Sequence, residues 1–247
     1  MTPTEDLLRI LKKLRLSGLS LTLEMRIKQA CEDDLGHTEF LFRLFNDEVE
    51  RRDARQGELR LRRASFDSNK TLEEFDFMFN SSIPKSKVID LAACTFLLRK
   101  ENILLVGKTG VGKSHIAQAI GHRACMAGHK VLYTSANDMF LKLRAARADD
   151  THDRLLAKYC APDLLIIDDL GLRALRYDEP IDLYELIRRR YERGSIIFTS
   201  NRDVSEWAPL FKDELLASAA MDRLLHHAHI LVLDGESYRN PPKRKAA

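Results

Sequence analysis

Residues 102–116 read NILLVGKTGVGKSHI: four bulky apolar residues, Ile103 to Val106, run straight into a loop of three glycines, two lysines and a serine. A rigid buried strand fixes where such a loop begins. Its glycines let the backbone curl until several N–H groups point into one concavity, the geometry that binds phosphate oxygens. Gly107 to Ser114, enclosing Lys108, Thr109, Gly110, Val111, Gly112 and Lys113, fits G-x-x-x-x-G-K-[ST]. The stretch that follows, SHIAQAIGHRACMAG, reads as a helix, whose N-terminus adds partial positive charge. In this pattern Lys113 reaches the β- and γ-phosphates of a nucleotide and the Ser114 hydroxyl ligates Mg²⁺. A glycine-rich turn that merely links strand to helix is the competing reading, and it does not account for the Lys-Ser pair.

The surrounding chain repeats the alternation. Apolar runs at 103–106, 131–134, 164–168, 196–200 and 229–233 are separated by helical stretches at 113–127, 137–160, 179–193 and 212–226. Apolar runs without period-2 alternation predict a parallel sheet covered by helices on both faces, an α/β domain over residues 87–247. Residues 1–66 read as an all-helical domain. Leu7, Leu11 and Leu14 share one face, Gly18 marks a break, and a second helix starts near Ser20. A third helix puts Leu41, Leu44 and Phe45 on its apolar side. Residues 67–86, rich in aromatics and turn formers, read as a linker strapped onto the α/β domain.

Composition narrows the class. With 247 residues, 45% hydrophobic and 31% charged, the chain can bury a large core, and no apolar run approaches the roughly 18 residues of a membrane span. The N-terminus interleaves charges with leucines, unlike a secretory signal, so a cytoplasmic protein is expected. Cys31, Cys94, Cys125 and Cys160 form no CxxC pair and read as buried thiols. His226, His227 and His229 lack acidic or cysteine partners at ligand spacing, which argues against a metal there, and Trp207 reads as a packing residue.

A phosphate loop needs a second element to hold metal and activate water. In DLLIIDDLG the apolar run 164–167 delivers Asp168 and Asp169 to a strand's C-terminal end, where ligands of open α/β sheets bind. Asp168 would hold Mg²⁺ through water, and Asp169 would orient or deprotonate the attacking water. Thr199, Ser200 and Asn201 end another strand with a polar tip able to reach the γ-phosphate, although Ser-Asn is also an ordinary turn opener.

Basic clusters stand elsewhere. RRDARQGELRLRR, residues 51–63, puts Arg51, Arg55 and Arg62 on one helical face with Arg52 and Arg63 beside it. Such a face tracks a phosphate backbone or is simply a solvated, internally paired helix. Lys142, Arg144 and Arg147 form a second group. Arg188, Arg189, Arg190 and Arg193 form a third, read as subunit contacts or paired surface charge, and the tail Lys243–Lys245 is also basic. No zinc-finger spacing or aromatic RNA-binding motif accompanies them, so any nucleic-acid binding should be largely sequence-independent.

Together GKTGVGKSH, LLIIDDLG, IIFTSN, AAMDRLLHHAHIL and GESYR resemble the IstB-like branch of AAA+ ATPases, helper proteins of a bacterial transposon family related to the helicase loader DnaC. LKKLRLSGL, ASFDSNKTLEEFDF and RRYERGSIIFTSN extend the resemblance over nearly the whole chain. It implies an ATP- and Mg²⁺-dependent homo-oligomer that binds duplex DNA at the nucleoid and assists a DDE-type transposase in target capture and insertion. The resemblance also implies that Asn201 is the sensor residue and Arg223 the arginine finger inserted into a neighbour's site. Read without it, Arg223 is a surface arginine paired with Asp222 or another acid. It tips the basic helix, and secondarily Lys142, Arg144 and Arg147, towards DNA. The chain departs from the commoner AAA+ pattern in three ways: Asp169 stands for the usual Glu, Lys108 and Thr109 for Pro-Pro, and too little follows Leu233 for a complete helical lid. Arg239 is the one local stand-in for a lid arginine. A DnaC-like helicase loader is the main alternative. A small-molecule kinase and a non-hydrolysing scaffold fit less of the chain.

Overall fold

A computed structural model describes residues 3–68, 70–80 and 82–239; the basic tail Lys243–Lys245 lies outside them. In chain order the elements are α1 (Pro3–Lys13), α2 (Ser17–Glu32), α3 (His37–Ala64), α4 (Lys85–Ala92), α5 (Thr95–Leu98), β1 (Asn102–Gly107), α6 (Lys113–Met126), β2 (Val131–Ser135), α7 (Ala136–Arg147), α8 (His152–Cys160), β3 (Leu164–Leu170), α9 (Glu179–Arg190), β4 (Ser195–Ser200), α10 (Glu214–Leu225) and β5 (Ala228–Leu233). The chain divides into two compact units, one up to Leu59 and one from Arg60 onward.

In the first unit Leu11, Leu19, Leu23 and Leu44 form a small core, with Leu8, Leu16 and Phe40 against it. Gly18 does not break the chain; it lies inside α2, which begins at Ser17. A Cβ on Gly18 would sit 2.7 Å from the Glu48 Cα, so glycine is what lets α2 and α3 touch. The buried Glu48 carboxylate accepts from the Gly18 and Leu19 N–H groups, two of the donors a helix N-terminus leaves open. Of the expected apolar faces, Leu11 and Leu44 are buried while Leu7, Leu14, Leu41 and Phe45 are exposed. The period was right, but the inward stripe is narrower than the apolar one.

The second unit holds a parallel sheet of order β2-β3-β4-β1-β5. Successive strand residues enter different cores. Leu104, Val106, Leu165, Ile167, Ile196 and Phe198 pack with α7 to α10, whereas Ile103, Leu105, Leu164, Ile166 and Ile197 pack with α4 to α6. Over β1, β3 and β4 both faces are buried, which is why those runs show no polar alternation, whereas on β5 Ile230 and Val232 are exposed. Trp207, 1% exposed, meets Phe198 edge-on at 5.6 Å. Leu61, Phe66, Leu72, Phe75 and Phe77 pack on the α4–α6 side. The stretch expected as one helix over 137–160 is two, because Asp150 adopts φ 56 and the Asp149 side chain accepts from Thr151. α4 and α5 were not anticipated. Between Leu233 and Arg239 the described residues contain no helix. Cys94 and Cys125 are buried, but Cys31 is exposed, against expectation. Burial pushes the Cys125 thiol up to about 12.

Candidate functional site

The strand order explains the site. β3, β4 and β1 are neighbours, so their C-terminal ends place Asp168 and Asp169, then Thr199 to Asn201, then Gly107 along one sheet edge. A cavity of about 510 Å³ opens there, within the usual range for small-ligand sites. It is lined by Thr109 to Ser114, Asp169, Asn201, Arg239 and Tyr238, and by Phe75, Phe79, Asn80 and Ile83.

The loop is built for close approach. Gly110 and Gly112 have φ of 84 and 104, and a Cβ on Gly112 would meet the Phe75 ring at 2.6 Å. Lys113 opens α6 and is 5% exposed, its ammonium donating to the carbonyls of Gly107 at 2.8 Å and Lys108 at 2.7 Å. Burial lowers its pKa, opposed by the Asp169 and Asp168 charges. Lys108 instead turns out to pair with Asp234 at 3.0 Å.

Asp168, 5% exposed, is held on both oxygens. Its Oδ1 accepts from the Ser114 hydroxyl at 2.9 Å and from Thr199; its Oδ2 accepts from the Tyr133 hydroxyl at 2.7 Å. Burial first, then the carboxylates of Asp168 and Asp67, pushes the Tyr133 phenol above its ordinary value, so it remains a donor. A hydroxyl and a carboxylate in contact at the N-terminus of α6 form the oxygen donor set that suits Mg²⁺, and the glycine-lined loop before them suits the phosphates of ATP.

Asp169 is aimed differently. The β3–β4 register shifts between Ile167 and Leu170, and Asp169 sits at φ 59 with its N–H donating to the Thr199 hydroxyl at 2.9 Å. Such a bulge re-aims a side chain, here into the cavity. Burial and the neighbouring Asp168 raise the Asp169 pKa, with Lys113 and Arg239 opposing. Thr199 thus braces both aspartates, and Ser200 is tied to the Leu170 carbonyl at 2.7 Å; of that strand tip, Asn201 reaches the cavity.

Arg223 on α10 does not line this cavity. It stacks over the Tyr184 ring at 5.8 Å, donates to the Ala219 carbonyl, and has no ion pair among the described residues. Of the basic residues, Arg51, Arg55, Arg62, Arg63 and Lys142 are exposed without ion-pair partners among the described residues. Arg52 pairs with Glu48 at 2.7 Å, Arg147 with Asp178 and Asp182, and Arg144 lies over Tyr177. The third basic group is not a uniform surface: Arg188 and Arg189 pair with Glu185, while Arg190 is 1% exposed. The fold also brings an acid to the histidines, since donor atoms of Glu192, His226 and His227 lie within 4.8 Å of one another; His229 pairs with Glu101.

Sequence reasoning missed Tyr133, Asp67 and the cavity-lining roles of Phe75, Phe79, Asn80, Ile83 and Tyr238. The alternating phenylalanines at 75, 77 and 79 were the available signal. The segment carrying them is clamped on by the Thr71 carbonyl at 2.8 Å from the His115 ring and by the Phe75–His115 edge contact.

The family model described as IstB-like ATP binding protein matches residues 9–246. A Pseudomonas aeruginosa protein named as the ATP-binding protein of insertion sequence IS21 is 39% identical over 237 residues, covering 96% of this chain and 89% of its own. An insertion-sequence ATP-binding protein of Mycobacterium tuberculosis is 40% identical over 235 residues, covering 95% and 93%. The crystal structure of the DnaC helicase loader superposes with a TM-score of 0.53 at 19% identity, over 71% of this chain and 99% of that one, a likeness of fold. With an AAA+ sheet, a phosphate loop and a family match over nearly its whole length, the chain belongs to the IstB-like ATP-binding proteins.

Proposed function

We propose that the protein is an ATP-hydrolysing helper of a DDE-type transposase, binding duplex DNA as a homo-oligomer. The observation that carries the chemistry is the convergence of Lys113, Ser114, Asp168, Asp169 and Asn201 on one sheet edge beside a single cavity. In this reading the loop N–H groups and Lys113 bind the β- and γ-phosphates, and Ser114 with Asp168 holds Mg²⁺. When bound, the metal neutralises charge on the phosphate oxygens. Asp169 orients the attacking water and takes its proton, and Asn201 positions that water against the γ-phosphate. Phe75, Phe79, Ile83 and Tyr238 supply an apolar wall for the base.

Arg223 completes a neighbouring copy's site. Its position outside its own cavity and its lack of an acidic partner among the described residues support that role. Arg51, Arg55, Arg62, Arg63 and Lys142 bind the DNA backbone. The insertion-sequence names of the relatives support the link to transposition. Such a protein works at the nucleoid in the bacterial cytoplasm.

The test is fluorescence anisotropy of labelled duplex DNA with ATP, ADP or no nucleotide, across a salt series and against single-strand competitor. Tight duplex binding with ATP is expected, falling steeply with salt. The Arg51→Ala/Arg55→Ala double variant should flatten the log–log salt slope by about 2. Preference for single strands would replace this reading with a helicase loader.

A further inference from the structure

Asp168 owes its aim to side chains from two neighbouring strands and a helix, and the one on β2 has no role in the nucleotide chemistry described above. Tyr133 lies on β2, opposite Ile166 in the β2–β3 ladder, and is 5% exposed. Its hydroxyl donates to Asp168 Oδ2 at 2.7 Å and lies 2.9 Å from Asp67 Oδ2, on the segment just beyond α3. Asp67 is exposed, and the Tyr133 ring packs against Phe66 with centroids 6.1 Å apart. A line of contacts therefore runs from the solvent-facing Asp67 through Tyr133 and Asp168 to the Ser114 hydroxyl.

A carboxylate with both oxygens hydrogen-bonded has one orientation. Ser114 and Thr199 meet at Oδ1, so the Tyr133 hydroxyl is what fixes Oδ2 and with it the carboxylate plane. Without that hydroxyl, Oδ2 would lose its only donor among the described residues in a buried setting, and the carboxylate would be free to turn about its terminal bond. A divalent cation needs its oxygen ligands fixed beforehand, and partners that orient a ligand typically change metal affinity by about 10–100-fold. We propose that Tyr133 is a positioning residue for the metal site, aligning Asp168 with Ser114. This rests on the assignment of Ser114 and Asp168 as the metal ligands.

The experiment is Mn²⁺ binding to the full-length protein with nucleotide present, followed by electron paramagnetic resonance, alongside binding of a fluorescent ATP analogue in EDTA. Tyr133→Phe keeps the ring and its contact with Phe66. It should raise the Mn²⁺ half-saturation at least tenfold while leaving metal-free nucleotide affinity close to wild type. Unchanged Mn²⁺ binding in Tyr133→Phe, with binding lost in Asp168→Asn, would overturn the positioning role and leave the metal site standing. Loss of metal-free nucleotide binding in Tyr133→Phe would make its role structural and overturn the proposal equally. Unchanged Mn²⁺ binding in Asp168→Asn would instead sink the underlying site assignment.

Discussion

Asp169 holds its carboxylate half-buried beside another carboxylate, on a left-handed backbone that non-glycine residues adopt at a cost. Both burial and Asp168 raise its pKa, so the folded protein binds this proton more tightly than the unfolded chain does. Above the raised value the ionised form destabilises the fold; below the ordinary Asp range both states are protonated and that penalty is gone. Asp169→Asn should therefore melt at a higher temperature than wild type near pH 7, with the gain vanishing as the pH falls. It should also abolish ATP turnover at every pH. Thermal melts of both proteins between pH 4 and pH 8 check the sign. The motif residues were legible because their chemistry depends on spacing along the chain: Lys113, Ser114, Asp168 and Asp169 were all named from pattern. Tyr133 was not, because what makes it matter is strand register, which brings residue 133 against the β3 ladder from 35 positions away.

At the scale of elements, Arg190 closes the end of α9. Its guanidinium faces the carbonyls of Tyr159, Cys160, Pro162, Asp163 and Ser195, tying the end of α8 to the starts of β3 and β4. Burial lowers its pKa to about 10, so it stays charged at neutral pH. Arg190→Met preserves bulk but strands several buried carbonyls, and should cost about 3 kcal/mol. That corresponds to roughly 6–12 °C in Tm for a chain of this size, measurable by calorimetry. Arg188→Met, whose partner Glu185 is also held by Arg189, should change Tm by far less. From sequence, RRRYERG read as one basic cluster, because nothing local distinguishes the residue facing inward. The same limit hid the break between α7 and α8, where one aspartate in a left-handed conformation ends a long helical pattern.

For the whole molecule, sheet order does what no single motif can. The phosphate loop and the acidic pair are separated in sequence by α6, β2, α7 and α8, yet only β4 stands between their strands. The alternation of apolar runs and helices made the layered fold readable, since each layer's burial is written into its own residues. The site is equally explicit up to the edge of one chain, where Arg223 remains outside the cavity. If that arginine serves a neighbour, Arg223→Ala and Asp169→Ala should each keep ATP binding and lose turnover. Mixed in equal amounts, about a quarter of the interfaces would pair an intact Asp169 with an intact Arg223. Steady-state ATPase should recover to roughly that fraction of wild type, whereas no recovery at any ratio would rule out a finger in trans.

Asn80 and Glu236 exchange a reciprocal pair of hydrogen bonds, both 3.1 Å, across 156 positions of sequence. Beside them Phe79 meets Tyr238 edge-on, and the Tyr238 N–H donates to the Gly110 carbonyl. The cavity wall is thus sewn from segments on either side of the entire sheet. During synthesis the phosphate loop leaves the ribosome long before residue 238 does. A nascent chain therefore carries the loop without its wall, and the complete cavity is among the last features of the domain to form.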